Sequence, residues 1–257
     1  MVRLHSESEP LTDRMQTNMA KKIVVLVRFF KTKNHRDAFV RGDLYMNRLR
    51  FFKAYEEQDS CNIGDRHEGT SGWYQPDQIK VTIQDPYTGE DHVIKDFAGP
   101  VLIGLHRHND YHVYCMSAVY GDDEAQFESF EEMRASMMLD VARGDLGDYC
   151  TIVEAKPFIE RLDKTLRAEV DSGNVVGRGL VEYFDPDTFS GSFDEDQAIM
   201  RKKNCFAHQK EYRVYVYDGS KGDDARTINI GDISDIAFSC DKKDFEKHFQ
   251  ITQKNPD

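Results

Sequence analysis

The sequence predicts a single α+β domain built on a mixed, largely antiparallel sheet, with helices packed at its flanks. Three observations predict it. Short β-branched and aromatic runs are separated by turn signals, as where two such runs flank Asp85-Pro86-Tyr87-Thr88-Gly89. Two stretches with apolar residues at helical spacing follow, at 127–143 and 157–170. No repeat, low-complexity tract or linker rich in Pro, Gly and Ser divides the 257 residues, which suffice for a sizeable core. Residues 1–20 are polar and aperiodic and read as a flexible N-terminal tail, leaving 21–257 as the domain.

Ile23 to Phe30 is a continuous apolar run of strand length, suited to a sheet interior, and only Arg28 interrupts it. Arg36 to Val40 reads as a helical turn and Gly42 to Asn47 as a second strand, followed by the apolar Leu49, Phe51 and Phe52. Residues 55–72, charged and glycine-containing, read as a loop or lid. Ile79–Ile83 and His92–Phe97 form one hairpin; Val101–His106 and Tyr111–Val119, joined through Asn109-Asp110, form a second. Phe127 to Arg143 is expected to be helical, with Phe127, Phe130, Met133, Met137, Met138 and Val141 on or near one face. After an extended Tyr149–Val153 comes another helix, with Pro157 in its first turn and Phe158, Ile159, Leu162, Leu166 and Val170 as its stripe. Val175–Phe184 reads as a strand, Asp185–Ser192 as a loop and Asp196–Lys203 as a short helix. Strands from Glu211, at Ile228–Ile230 and at Ile233–Ser239, and a helix at Lys242–Phe249, complete the chain.

Bulk properties narrow the function. A formal net charge of -12 opposes non-specific attraction to phosphate backbones. A nucleic-acid partner would need a local basic patch, either Arg48, Arg50 and Lys53 or Arg201, Lys202 and Lys203, although solvated surface charge is the plainer account. Five cysteines, odd in number and without C-x-x-C, point to free thiols in a reducing cytoplasm. Glu7, Glu9 and Asp13 stand where an apolar signal region would lie and no run reaches membrane-spanning length, so no membrane partner is expected. The chain has neither a P-loop nor a G-x-S-x-G elbow. His106, His108 and His112 could converge on a hairpin, yet no carboxylate or cysteine stands at ligand spacing, and no metal is assigned.

The most informative stretch is His208-Gln209-Lys210-Glu211-Tyr212-Arg213-Val214-Tyr215-Val216, where a polar loop turns into an aromatic and β-branched run. A carboxylate at the entrance of a core strand is held by a rigid element while its polar end faces outward, and Gln209 falls on the same side of an extended segment. Arg28, inside an apolar run, must reach a carboxylate, a ligand phosphate or the sheet edge. An ion pair, with Glu211 for instance, and a ligand contact are equally open.

The Gln209-x-Glu211 spacing at a strand entrance resembles the catalytic corner of the mono-ADP-ribosyltransferases. The tract from Gly42 through Asp65-Arg66-His67-Glu68-Gly69, with Phe206-x-x-Gln209-x-Glu211-Tyr212-Arg213, also resembles phage and bacterial conflict proteins distantly related to DarT-like toxins. The resemblance implies an ADP-ribosyltransferase-like domain over 21–257 and NAD as the ADP-ribose donor. It implies transfer to a macromolecular acceptor, protein or nucleic acid, with an antitoxin or other protein as a further partner. Arg28 would hold the NAD diphosphate or nicotinamide ribose, Tyr45 would stack on nicotinamide, and Asn47 would stand where the family has a serine, Tyr45-Met46-Asn47 replacing Ser-Thr-Ser. Glu211 would stabilise the oxocarbenium-like sugar formed as nicotinamide leaves, and Gln209 would position the acceptor. In the 55–72 loop and just beyond it, Arg66 would meet phosphate and Trp73 or Tyr74 would stack on adenine. These roles require Arg28, Asn47 and Glu211 to line one cleft. The alternatives are a non-enzymatic accessory protein of the same fold, binding a nucleotide derivative or a partner, and a structural accessory protein of a phage or mobile element.

Overall fold

The computed structural model describes residues 21–55, 65–94, 96–143 and 147–253. The expected tail, part of the expected loop and Cys61 lie outside them. No helix among the described residues is long and apolar enough to cross a membrane.

The fold is α+β, organised around one long strand, β7 (His112–Asp122), whose run of β-branched and aromatic residues is buried along most of its length. β1 (Lys21–Phe30), β2 (Asp43–Arg48) and β13 (Glu211–Tyr217) all pair antiparallel with it. His112 is matched with both Arg48 and Val216, and Ser117 with both Val27 and Glu211. Hence β13 occupies one edge of β7, while β2 and β1 share the other and part between Val113 and Ser117. This fork decides where the functional side chains go. Beyond β2 lies β14 (Arg226–Asn229); beyond β1 lie β8 (Tyr149–Glu154) and then β15 (Ala237–Asp241); beyond β13 lies β9 (Val175–Leu180), making eight strands.

Residues alternate between the two faces of this sheet. On one face α1 (Lys33–Val40) and α4 (Ala155–Asp171) pack against Leu26, Phe30, Leu44, Tyr114, Met116 and Val214. The expected stripe of α4 is present, with Phe158, Leu162 and Leu166 fully buried at successive turns. Each such side chain contributes about 1.5–3 kcal/mol. Thr32 caps α1 by accepting from the His35 N–H at 3.3 Å. On the other face, Val27, Phe29, Ile152 and Phe245 form one cluster, the last from α6 (Phe245–His248). Leu49 of α2 (Leu49–Tyr55) joins Tyr111, Val113, Ile199 and Tyr215 in another.

Smaller sheets flank this body. β3 (Thr70–Tyr74) lies between β6 (Val101–Gly104) and β11 (Gly191–Ser192), and β4 (Val81–Gln84) forms the expected hairpin with β5 (Asp91–Ile94). The Asp85 carboxylate accepts from the Tyr87 and Thr88 N–H groups at 2.7 and 2.8 Å, which closes that turn.

Several expectations are corrected. The second hairpin does not form: a 3-10 turn at His106–Asp110 redirects the chain, so that β6 pairs with β3 while β7 enters the large sheet. The helix expected from Phe127 is only α3 (Phe130–Met137), capped by Ser129, and Met138 is already extended. Val175–Phe184 divides at Val181 into β9 and β10 (Glu182–Phe184). β10 pairs in parallel with β12 (Arg201–Lys203), which occupies the end of the expected 196–203 helix; only α5 (Glu195–Ala198) is helical there.

Gly42 closes α1 with φ +93°, and a Cβ there would stand 2.0 Å from the Gly231 carbonyl oxygen. Backbone on both sides cannot retreat cheaply. Gly42→Ala is therefore expected to lower the unfolding free energy by about 1–3 kcal/mol, read by urea denaturation at unchanged slope. A change within experimental error would mean that the α1–β2 turn relaxes freely.

Candidate functional site: a buried carboxylate cluster

β13 begins at Glu211 because the preceding 3-10 turn, Asn204–Gln209, ends in Lys210 with φ 42° and ψ 51°. That left-handed residue redirects the backbone, so Gln209 reaches the site from a turn and not along an extended segment. Lys210 points outward, its ammonium donating to the carbonyls of Ser136 and Met138 at the end of α3.

Glu211 is 4% exposed and both its carboxylate oxygens are taken. Oε1 accepts from Arg213 Nε at 2.6 Å and Oε2 from Lys202 Nζ at 2.7 Å, while its main-chain N–H donates to the Tyr183 hydroxyl at 2.9 Å. Glu68 Oε1 accepts from Arg213 Nη2 and from Lys202 Nζ, each at 2.9 Å. Lys202 also donates to Gln209 Oε1 at 2.9 Å, and Arg213 Nη1 to the Ile199 carbonyl at 2.5 Å. Two carboxylates and two cations thus balance in a region closed to water, and in this cluster Glu68 Oε2 is buried without a hydrogen bond. Beside it Asp65 is also buried, accepting from the His67 N–H at 2.9 Å and from Lys203 Nζ at 3.2 Å.

Burial alone would raise the Glu211 pKa, but the charges of Arg213 and Lys202 outweigh it and hold the carboxyl well below the ordinary carboxylate range. Burial would likewise discharge Lys202, yet Glu211 and Glu68 keep its pKa raised. Burial and the Glu211 charge push the Cys115 thiol up to about 12, which removes it as a nucleophile at neutral pH.

The sequence-derived site residues divide across the sheet. Register with Ser117 places Glu211 on the Val27 face of β7, and register with Val113 places Asn47 there too. Tyr45, two residues earlier on β2, shares that face and is 60% exposed. Arg28 alternates with Val27 and emerges on the opposite face, between Leu26 and Phe30. Its Nη1 donates to the Cys115 carbonyl at 2.6 Å, and its guanidinium lies 5.1 Å from the Tyr114 ring centroid and 6.0 Å from that of Phe30. The cleft expected to unite Arg28, Asn47 and Glu211 is not formed, because strand alternation separates the first from the other two. Nor do Arg28 and Glu211 pair.

The 65–69 segment is also corrected. Arg66 is exposed and donates to the His67 ring at 3.0 Å, but Glu68 is built into the core rather than into a surface lid. Trp73 is buried, its indole N–H donating to the Pro186 carbonyl at 2.9 Å, so it is unavailable for stacking on adenine; Tyr74 is half-buried in β3 opposite Val101. Neither proposed basic patch is a surface feature throughout: Arg48 is buried against the Asp110 and Ser220 carbonyls, and Lys202 lies in the cluster. His108 and His112 bond separate carbonyls, Gly69 and Asp224, and the described residues hold no group of three ligand-type side chains suited to a metal. No protein-family model, curated protein or solved structure matches the chain.

Glu68, Lys202 and Arg213 are the site residues the sequence reading missed. Arg213 carried a signal, since two charges two residues apart on a strand share a face and need each other when buried. Lys202 carried none.

Glu211→Gln is expected to cost about 3–5 kcal/mol of stability by leaving the cations uncompensated. The pH sign follows from a folded pKa below the unfolded one: the Glu211 contribution is present above the unfolded carboxyl pKa, about 4.3, and is lost as pH falls toward the folded value. Thermal unfolding from pH 7 to pH 2 should show a steep acid limb in the wild type and a flatter one in Glu211→Gln. Identical limbs would remove the cluster from the stability argument.

Proposed function

We propose that this chain binds a nucleotide-derived anion, of the ADP-ribose or NAD kind, at the fork between β1 and β2, as a non-enzymatic accessory protein. The observation that carries the reading is Arg28. It is half-buried, makes no ion pair among the described residues, and its Nε is buried without a hydrogen bond. The Tyr114 hydroxyl beside it, on a side chain 4% exposed, likewise makes no well-formed hydrogen bond. A guanidinium with one carbonyl hydrogen bond, the Tyr114 side chain alongside and no carboxylate partner among the described residues keeps its charge uncompensated, and its planar donors match a phosphate or diphosphate. The two rings under Arg28 supply further cation–π support and a surface that excludes water. Turnover is disfavoured because Glu211 lies on the other face with neither oxygen open to a ribose.

A second reading, NAD-dependent transfer of ADP-ribose to a macromolecular acceptor, draws support from Glu211 itself. It is held ionised, the state that stabilises an oxocarbenium-like sugar, and shares a face with Asn47 and Tyr45. This chemistry requires Lys202 to withdraw from Glu211.

Titration calorimetry with ADP-ribose, NAD, ADP and inorganic phosphate tests the binding reading. Arg28→Ala should weaken nucleotide binding by about tenfold to a hundredfold, the scale of losing a hydrogen-bonded charge, and should lower Tm by only the few degrees that follow from leaving the Cys115 carbonyl without its donor. Wild-type protein that binds none of the four, or a variant that binds as well as wild type, would sink the proposal. Incubation with NAD and cell lysate separates the two readings: nicotinamide release that a folded Glu211→Gln variant abolishes would establish the transferase instead.

A further inference from the structure

We propose that Cys150 and Cys240 form an oxidisable dithiol, which a hydroperoxide converts into a disulfide bridging β8 and β15. The two residues are direct register partners, and their sulfur atoms lie 3.1 Å apart. Opposed residues on antiparallel strands have Cα atoms about 4.5–5.5 Å apart, inside the roughly 4.4–6.8 Å range that a disulfide spans. Side-chain rotation alone can therefore close the bond. The register is fixed on both sides, by the Lys242 N–H donating to the Asp148 carbonyl at 2.7 Å and the Glu154 N–H to the Ile236 carbonyl at 3.1 Å. The adjacent pair, Thr151 and Ser239, is also in contact through its hydroxyls at 2.9 Å.

The two thiols differ in access, which assigns their roles. Cys150 is fully buried, and burial with the neighbouring sulfur pushes its thiol up to about 12. Cys240, on β15, the last strand of the sheet on this side among the described residues, is half-buried and so the more accessible of the two to a small oxidant. The Cys240 sulfur attacks one peroxide oxygen, the O–O bond breaks, and Cys240 becomes a sulfenic acid with one water released from hydrogen peroxide. The Cys150 sulfur then displaces the sulfenic hydroxyl, its proton leaves with that hydroxyl as a second water, and the S–S bond forms. Two thiols are oxidised by two electrons and one peroxide is reduced. The bond ties the edge strand to its neighbour across 90 residues of chain that include α4, β9 and β13, so it restricts the unfolded state.

Peptide mapping of the full chain after hydrogen peroxide treatment and alkylation tests this. The expected product is an intrachain Cys150–Cys240 cross-link, two hydrogens lighter than the reduced protein, with Tm raised by roughly 5–10 °C and restored by dithiothreitol. Cys240→Ser should show no cross-link and no peroxide-dependent rise in Tm. Cys150→Ala should leave a Cys240 sulfenic acid that dimedone traps; should this core variant fail to fold, the wild-type cross-link map decides alone. Alkylation of both cysteines after oxidation, a cross-link to a different cysteine, or an equal rise in Tm for Cys240→Ser would overturn the proposal.

Discussion

Four charges buried side by side govern the arrangement of this molecule. Taking Glu68, Glu211, Lys202 and Arg213 out of water costs several kcal/mol per ion, and their mutual hydrogen bonds, with those from Lys202 to Gln209 and from Arg213 to the Ile199 carbonyl, offset that cost. The four residues come from three segments: Glu68 from the turn before β3, Lys202 from β12, and Glu211 and Arg213 from β13. None of these elements can shift alone without stranding a charge. The cluster is therefore a geometric lock between the small sheets and the large one, whatever its net contribution to stability. Lys203 and Asp65 add a further ion pair, between β12 and the turn before β3.

The fork on β7 imposes the second constraint. β2 and β1 meet β7 along the same edge but at opposite ends, so the Cys115 carbonyl between them has no strand to pair with. Arg28 supplies the missing donor. The side chain reaches that carbonyl from β1, and its guanidinium lies within cation–π range of the Phe30 and Tyr114 rings. Satisfying one carbonyl uses only part of its donor capacity. The remainder separates Arg28 from the fully engaged Arg213 and makes the fork, not the carboxylate cluster, the place where an added anion gains most.

Much of the fold was legible where periodicity and burial agree. The apolar run of β1, the stripe of α4 and the Asp85 hairpin follow from local residue choice. The failures lie where tertiary pairing overrides local pattern. Val101–His106 and Tyr111–Val119 read as a hairpin, but β3 offers β6 a partner and β7 is claimed by three other strands. Arg201–Lys203 has no β-branched residue, yet a charge in the cluster fixes Lys202 in an extended strand. At the site, the strand position of Glu211 was readable, whereas its partners are fixed by chain-distant contacts that no spacing encodes. The parity of Arg28 against Val27 needed the register of β1 on β7 before it had any meaning.

Lys210 shows how the local and global demands are reconciled. It is the non-glycine residue with positive φ among the described residues, a conformation that costs a lysine on the order of 1 kcal/mol. Through that reversal Gln209 meets Lys202 from the 3-10 turn while Glu211 meets it from β13. Its side chain offsets part of the strain by closing carbonyls at the end of α3. One unfavourable backbone residue thus joins the outer helix to the buried cluster, and the carboxylate whose end was expected to face outward is buried.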